Sequence, residues 1–413
     1  MSRFLPMVFL LQKLLLTLGY RFYRRRAKRG MPGRQISWVV GTNEIASMLH
    51  QVASAIPGSY SVCLSANPYY DYAYDSKTPN AQTRRAALKH LLRAPLLMAQ
   101  LITQARGVIY VGPSGFLLDQ FDRRRFEFKF LKRHGVRIVC YWTGSDIRSN
   151  LLMKQLERDT GTPNISTYIS QVVPTFGSHR HEKIVQEIAA VGDSYADAMF
   201  SNSVDHLSYL KTATEPFLYF IPDEEFLGDT QKFDDLTKPV VTHASTSPVI
   251  KGTQLVRAAV AKLMRDGYEF EYRELIGVSH DDVLRELRTT HIALNHFYGF
   301  NPTVFGMEAL AARCAVMMSS DRTLEPELPP GANEAWLVTK HFEVYEHLKN
   351  LLDHPENIEP LALAGQKWAF ENGSRSQAGA RLATVLDRVL DGSYVRRPAS
   401  VGGNSNTASE QRH

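Results

Sequence analysis

Cysteine is scarce: three residues in 413 (Cys63, Cys140 and Cys314), widely spaced and odd in number. That excludes a disulfide framework and any zinc-ligand spacing, and points to a reducing, cytoplasmic compartment. A long hydrophobic run is also missing. The best candidate, "FLPMVFLLQKLLLTLGY", is apolar for about fifteen residues and is interrupted by Gln12 and Lys13, whereas a spanning helix needs roughly 20. No small-residue cleavage site follows it, only "RFYRRRAKR", which argues against an export signal. Acidic residues are absent from positions 1–34, which carry nine basic ones: Arg3, Lys13, Arg21, Arg24, Arg25, Arg26, Lys28, Arg29 and Arg34. The formal charge of +6 therefore belongs to one end, and the rest of the chain, with 39 basic against 42 acidic residues, carries −3. A slightly acidic body whose aromatic residues are not interleaved with its basic runs argues against nucleic acid as the partner. No cluster of His, Cys, Asp and Glu has ligand spacing, and no aspartate pair stands as a metal–diphosphate clamp. Neither a metal nor another cofactor is expected.

What is present begins with the basic end. At helical spacing Lys13, Thr17, Arg21, Arg24 and Lys28 share one face, and Leu11, Leu14, Leu15, Leu18 and Phe22 the other. The pattern predicts a helix in the membrane interface, with residues 3–29 against an anionic surface on the inner, cytoplasmic side. A helix packed on its own domain with a solvated basic face is the alternative.

With 44% apolar residues the chain can bury a large core, and its length suggests two domains. Beyond residues 1–35, short β-rich runs alternate with helical stretches. "ISWVVG" reads as a strand, followed by a helix that Asn43 could cap. "YSVCLS", "GVIYVG" and "VRIVCYW" repeat the strand signal, and "DAMFSNS" and "PFLYFIP" read as later, edge-ward strands. Residues 36–222 form the first Rossmann-like domain in this reading, and the acidic, aperiodic residues 223–238 a linker. A second alternation fills residues 239–370, followed by a terminal helix at 371–395 and a small, polar tail at 396–413 with no packed structure. The expected class is α/β: two doubly wound domains whose strand ends face each other across a cleft.

The segment "HASTSPVIKGT" (His243–Thr253) crowds hydroxyls, one lysine and a glycine where a strand hands over to a helix. A lysine beside helix amides suits a departing diphosphate, whose negative charge must be stabilised away from water. Lys251 is the candidate, with Ser245, Thr246 and Thr253 as neighbours; a plain exposed lysine at a glycine turn is the alternative. Glu308, in the otherwise apolar "MEALAA", needs a partner or an open cleft.

Together "HASTSPVIKGTQLVRAAVAKL", "GVSHDDVLREL" and "HIALNHFYGFNPTVFGMEALAARCAV" resemble the donor half of the GT-B glycosyltransferases called glycosyl transferases group 1. The His-Ala loop ending in Lys-Gly-Thr is similar to that of bacterial members, and "YWTGSDIR" (Tyr141–Arg148) to a Gly-Ser-Asp-x-Arg segment in some of them. The resemblance implies a GT-B fold and a hexosyltransferase taking a nucleotide-sugar donor, with retention. It implies that Glu308 accepts bonds from the donor ribose, and that His243 and His280 occupy family positions. The acceptor would be a lipid-linked or cell-surface glycan precursor in polysaccharide biosynthesis. Acceptor candidates are Gly41, Thr42 and Glu44 in "GTNE", with Arg148; Asp146 either meets an acceptor hydroxyl, in a catalytic role beside Glu308, or caps a helix.

Three departures weigh against a simple transfer of function. A second family glutamate, eight residues before Glu308, is replaced by Phe300, with Asn301 only a partial substitute at the donor sugar. Arg313, Cys314 and Ala315 replace the family's Gly-x-Pro, and no arginine precedes Lys251 in its loop. The second reading is therefore an inactive GT-B relative that serves as partner or regulator of an active glycosyltransferase.

Overall fold

The computed structural model describes residues 5–29, 35–78, 83–226, 228 and 231–399. Arg3, Arg34 and residues 400–413 of the expected tail lie outside them. The first half runs α1 (Leu5–Lys28), β1 (Ile36–Asn43), α2 (Met48–Ser54), β2 (Tyr60–Ser65), β3 (Ser76–Lys77), α3 (Arg84–Leu101), β4 (Ala105–Val111) and α4 (Arg125–Arg133). It continues through β5 (Arg137–Tyr141), α5 (Asn150–Thr160), α6 (Ile165–Val172), α7 (His179–Tyr195), β6 (Ala198–Ser201) and β7 (Glu215–Pro216). The second half holds β8 (Val240–Ser245), α8 (Pro248–Lys251), α9 (Thr253–Arg265), β9 (Glu271–Ile276), α10 (His280–Leu287), β10 (Ile292–Leu294), α11 (Thr303–Ala311) and β11 (Ala315–Met318). It closes with α12 (Ala332–Ala335), β12 (Leu337–Val338), α13 (Val344–Asp353), α14 (Ile358–Gly373) and α15 (Arg375–Asp391).

The first sheet has the order β3-β2-β1-β4-β5-β6-β7 and the second β12-β11-β10-β8-β9. Each pairing within them is parallel. Both sheets are doubly wound, as the alternation predicts. Their central strands are β-branched or apolar along most of their length because helices cover both faces: Val39, Val108 and Ile138 pack under α1, α3 and α4, and Val40, Ile109 and Val139 under α2 and α15. The helix α15 thus returns to the first domain, placing Leu382 and Leu386 on its sheet. The two crossovers run side by side: the Ile221 N–H donates to Gly373 O at 2.8 Å and the Arg375 N–H to Ile221 O at 2.7 Å.

Four local expectations change. The strand β1 continues to Asn43, so Asn43 does not cap the next helix; α2 begins at Met48 after Ser47. Of "PFLYFIP" only Pro216 pairs in the first sheet, in β7, and Leu218–Ile221 run on as a buried crossover whose Ile221 bridges Ser374. Their apolar character reflects burial between the domains, which a strand period cannot be told from over so short a run. The span from α5 to α7 has no counterpart in the sequence reading, because its polar caps break the apolar period. Finally, α1 is 24 residues long and passes for a membrane span by length and composition, yet it is docked on the first domain. Phe9, Gln12, Leu16, Gly19 and Tyr20 are its buried face. The Gln12 amide donates to Leu91 O at 2.7 Å and accepts from the Leu118 N–H at 2.9 Å.

Candidate functional site

Facing strand ends bring three pieces together. The first is the short helix α8, opened by Pro248 and stopped by Gly252, whose φ of 79° turns the chain into α9. An L side chain there would be strained. Lys251, expected in a loop, is the last residue of α8, and its Nζ lies 3.4 Å from Thr303 Oγ1.

Thr303 opens α11 with φ 58°, a conformation unusual for a β-branched residue. It is held there by its N–H, which donates to Asn301 Oδ1 at 3.0 Å and Tyr219 Oη at 3.1 Å, and by its hydroxyl, which donates to Asn295 Oδ1 at 3.2 Å. Such strain costs on the order of 1–3 kcal/mol and is characteristic of functional loops. Here it sets the first-turn amides of α11, which have no partner within the helix, beside the lysine ammonium. A lysine ammonium beside a helix amino end is a setting that favours an anion. Burial pushes Lys251 down to about 8, against the pull of Asp205 and Glu308. Neither Thr303 nor its strain is legible from spacing; the only sequence signal is Asn-Pro-Thr at a strand-to-helix junction.

Further along α11, the Glu308 carboxylate is 2.6 Å from His280 Nε2 at the start of α10. Burial works to push His280 down, but the Glu308 carboxylate outweighs it and holds the imidazole above its ordinary value. From the first domain, the segment after β2 crosses to this pair. Tyr69 O accepts the His280 N–H at 3.2 Å, the Tyr70 ring lies 4.9 Å from the imidazole, and Tyr72 Oη is 3.4 Å from its Nδ1. Tyr72 also stacks on His50 at 4.0 Å. Nothing in the sequence marks these tyrosines, since their role depends on a contact some 200 residues away.

The third piece is a cavity of about 360 Å³ between the domains. Thr303 and Asn301 line it from the second domain, Arg148 and Asp205 from the first, and Ile165 and Ile169 of α6 form an apolar wall. Arg148 Nη2 pairs with Asp205 Oδ2 at 2.7 Å. Burial raises the Asp205 carboxyl, yet Arg148 outweighs it and holds the group below its usual range.

The other candidates fall elsewhere. His243 is fully buried, with Nδ1 2.8 Å from Leu294 O and Nε2 2.8 Å from Thr253 Oγ1. The two side chains tie β8, β10 and α9 together, and burial pushes His243 down to about 4. Ser245 Oγ accepts the Ser247 N–H at 3.0 Å and shapes the turn into α8. Gly41 and Thr42 are strand residues, not a turn, and the Thr42 hydroxyl donates to Ser114 O at 3.1 Å. Glu44 caps the start of α2 through the His50 N–H at 3.1 Å and accepts the Tyr74 hydroxyl at 2.6 Å; its buried Oε1 has no partner, and burial raises its pKa. Asp146 accepts the Thr143 and Gly144 N–H groups at 3.0 and 2.8 Å, organising its own loop below the cavity. Among the described residues, no three His, Cys, Asp or Glu side chains are grouped as a metal site.

The arrangement matches known structures over most of the chain. Sucrose-phosphate synthase from Thermosynechococcus elongatus aligns with 88% of this chain and 100% of its own, at 11% identity and a TM-score of 0.57. The fold is GT-B. WaaG, a glycosyltransferase involved in lipopolysaccharide biosynthesis, aligns over 85% of this chain and 99% of its own, with 12% identity and a TM-score of 0.54. An α-glucosyltransferase solved with UDP-glucose and DNA containing an abasic site covers 85% and 98%, with 9% identity and a TM-score of 0.51. No family model and no curated protein matches the chain. The Lys251–Thr303 contact, the Glu308–His280 pair and the cavity all lie where residues of the two domains meet.

The raised pKa of His280 predicts a pH signature. A group raised in the folded state contributes stability fully below its unfolded value of 6.5, and loses it as pH rises through the folded value. His280→Gln should therefore lose most stability relative to the parent near about pH 5.5 and little near about pH 9. Urea unfolding at the two pH values checks this, and equal losses contradict it.

Proposed function

We propose that this chain is a metal-independent, retaining glycosyltransferase of hexosyltransferase type, moving a sugar from a nucleotide-sugar donor to a lipid-linked or cell-surface glycan in polysaccharide biosynthesis. The observation that carries this reading is the meeting of Lys251 with the amino end of α11 at Thr303, in the cleft of a GT-B fold. A diphosphate leaving group there gains a cation and helix amides without a bound metal. The ribose follows along α11 to Glu308, which His280 orients, and the sugar extends past Thr303 into the cavity. Lys251, Glu308 and Asn301 are the donor residues in this reading, Arg148 faces the acceptor, and His243, Ser245 and Thr253 act through the scaffold. A second reading, an inactive relative that regulates an active enzyme, is favoured by Phe300 and the altered Arg313–Ala315 segment and by one structural feature: Glu308 is 7% exposed beneath Tyr70 and Tyr72.

The acceptor class agrees with α1. Opposite its packed face, Met7, Leu10, Leu11, Leu14, Leu18 and Phe22 are all exposed, from 41% to 66%. The stripe runs directly into Arg21, Arg24, Arg25, Lys28 and Arg29, with no acid in the helix. An apolar stripe ending in a basic cluster complements one surface best, an anionic bilayer. The helix would lie in the inner leaflet as a fixed keel of the first domain, making the protein cytoplasmic and peripheral.

Two outcomes test these statements. By calorimetry, UDP or GDP should bind the parent, and Lys251→Ala should weaken that binding about tenfold or more, as loss of a charged hydrogen bond worth roughly 1.5–3 kcal/mol requires. Parent affinity should also decline as pH rises past about 8, where Lys251 loses its proton, and Lys251→Ala should flatten this dependence. No nucleotide binding by folded parent makes the inactive relative the reading. Separately, the protein should sediment with phosphatidylglycerol-containing vesicles and lose that association in the Leu14→Glu/Leu18→Glu variant; failure of the parent to bind such vesicles contradicts the keel.

A further inference from the structure

Within the cavity, Thr143, Ser145, Asn202 and Ser247 offer neutral acceptors to a hydroxyl-rich ligand, but charged ones are few. Among its described lining residues, Asp205 is the only carboxylate and Arg148 the only permanent cation, while burial pushes His206 down to about 3 and leaves it neutral. Asn301 Oδ1 is already engaged by the Tyr219 hydroxyl and the Thr303 N–H. The α6 wall, with Ile165 and Ile169, offers no acceptor side chain.

Asp205 belongs to the loop after β6, in the first domain, yet it reaches into the donor loop of the second. Its Oδ1 accepts the Phe300 N–H at 2.9 Å, and its Oδ2 accepts Arg148 Nη2 at 2.7 Å. An ionised carboxylate has about four acceptor positions. These two bonds leave one on each oxygen. The loop itself is fixed: the Glu325 carboxylate accepts the N–H groups of Ser203, Val204 and Asp205 at 3.0, 2.9 and 2.7 Å. Asp205 is thus a preorganised anion lining the same cavity as Thr303, the residue that also meets Lys251.

We propose that Asp205 recognises the donor sugar, accepting hydrogen bonds from its hydroxyls with the lone pairs that Arg148 and Phe300 leave open. The proposal rests on the nucleotide-sugar reading of the cleft. Its position follows from connectivity: the sugar is bonded to the diphosphate, so it must continue from the Lys251–Thr303 site into the cavity. It also answers what Phe300 leaves open, because the carboxylate absent from that side chain stands at that residue's own amide, supplied by the opposite domain. Sugar recognition is then possible only while the two domains are joined at this loop. A site that holds a substrate hydroxyl by a buried acceptor discriminates more strongly than an apolar wall can.

The test compares each sugar nucleotide with its own diphosphate. Calorimetry of UDP, UDP-glucose, UDP-galactose, UDP-N-acetylglucosamine, GDP and GDP-mannose is run on the full chain and on Asp205→Asn. The variant should lose about tenfold or more in its preference for the best-bound sugar nucleotide over the matching diphosphate, beyond any loss that the two share through the Asp205 charge near Lys251. Should Asp205→Asn not fold, Asp205→Glu retains the charge and shifts the carboxylate by one methylene, and should lose the same selectivity. Equal weakening of diphosphate and sugar nucleotide assigns Asp205 a structural role and overturns the proposal, as does an unchanged ratio. If the parent binds none of the probes, the nucleotide-sugar reading falls, and this proposal falls with it.

Discussion

The cleft depends on one reciprocal contact between the domains. A loop of the first domain, Ser203–Asp205, donates three backbone N–H groups to the Glu325 carboxylate of the second, and Asp205 in return accepts the Phe300 N–H. Burying these carboxylates without such partners would be costly, so neither half of the joint is stable in its place without the other. Arg148 completes the balance by pairing with Asp205 from the same domain. The paired crossovers at Ile221 and Gly373–Arg375, together with the return of α15 to the first sheet, hold the domains at a second place. Everything in the site is measured from these two fixed points.

Charge within the cleft is arranged rather than accumulated. Lys251 faces helix amides, and the acids nearest it are engaged elsewhere, Asp205 with Arg148 and Glu308 with His280. The buried histidines 206, 243 and 296 are pushed down to about 3 or 4 and carry no charge at neutral pH. That leaves one buried ammonium beside a helix amino end, a setting that favours an anion. The aromatic cover from Tyr70 and Tyr72 lowers the local dielectric and strengthens each of these interactions.

The sequence made the architecture legible because parallel strands buried on both faces, alternating with amphipathic helices, leave a pattern over every short window. Lys251 and Glu308 stand out as well, each being a charged residue in a setting that disfavours one, and the fold places both near the contact between the domains. The failures share a cause. His243 and Thr253 look like ligands by their motif, but the contact that occupies them, with each other and with Leu294 O, joins separate strands and helices. Asp205, Tyr70 and Tyr72 carry no local signal at all, and Thr303 only that of the Asn-Pro-Thr junction. Their importance comes from partners that the fold brings from far along the chain. In α1 the periodicity identifies a helix with an apolar face and leaves packing on its own domain as the alternative; the docking face that decides it is a second one, with Phe9, Leu16 and Tyr20.

A crystal structure of the chain grown with UDP tests the central claim most directly. The account predicts density for the diphosphate between Lys251 Nζ and the amino end of α11 at Thr303, with the ribose hydroxyls within hydrogen-bond reach of Glu308 and with Tyr70 and Tyr72 displaced from, or stacked on, the base. Density for the nucleotide at any other place on the molecule, with Lys251 and Glu308 still bound only to Thr303 and His280, would contradict it.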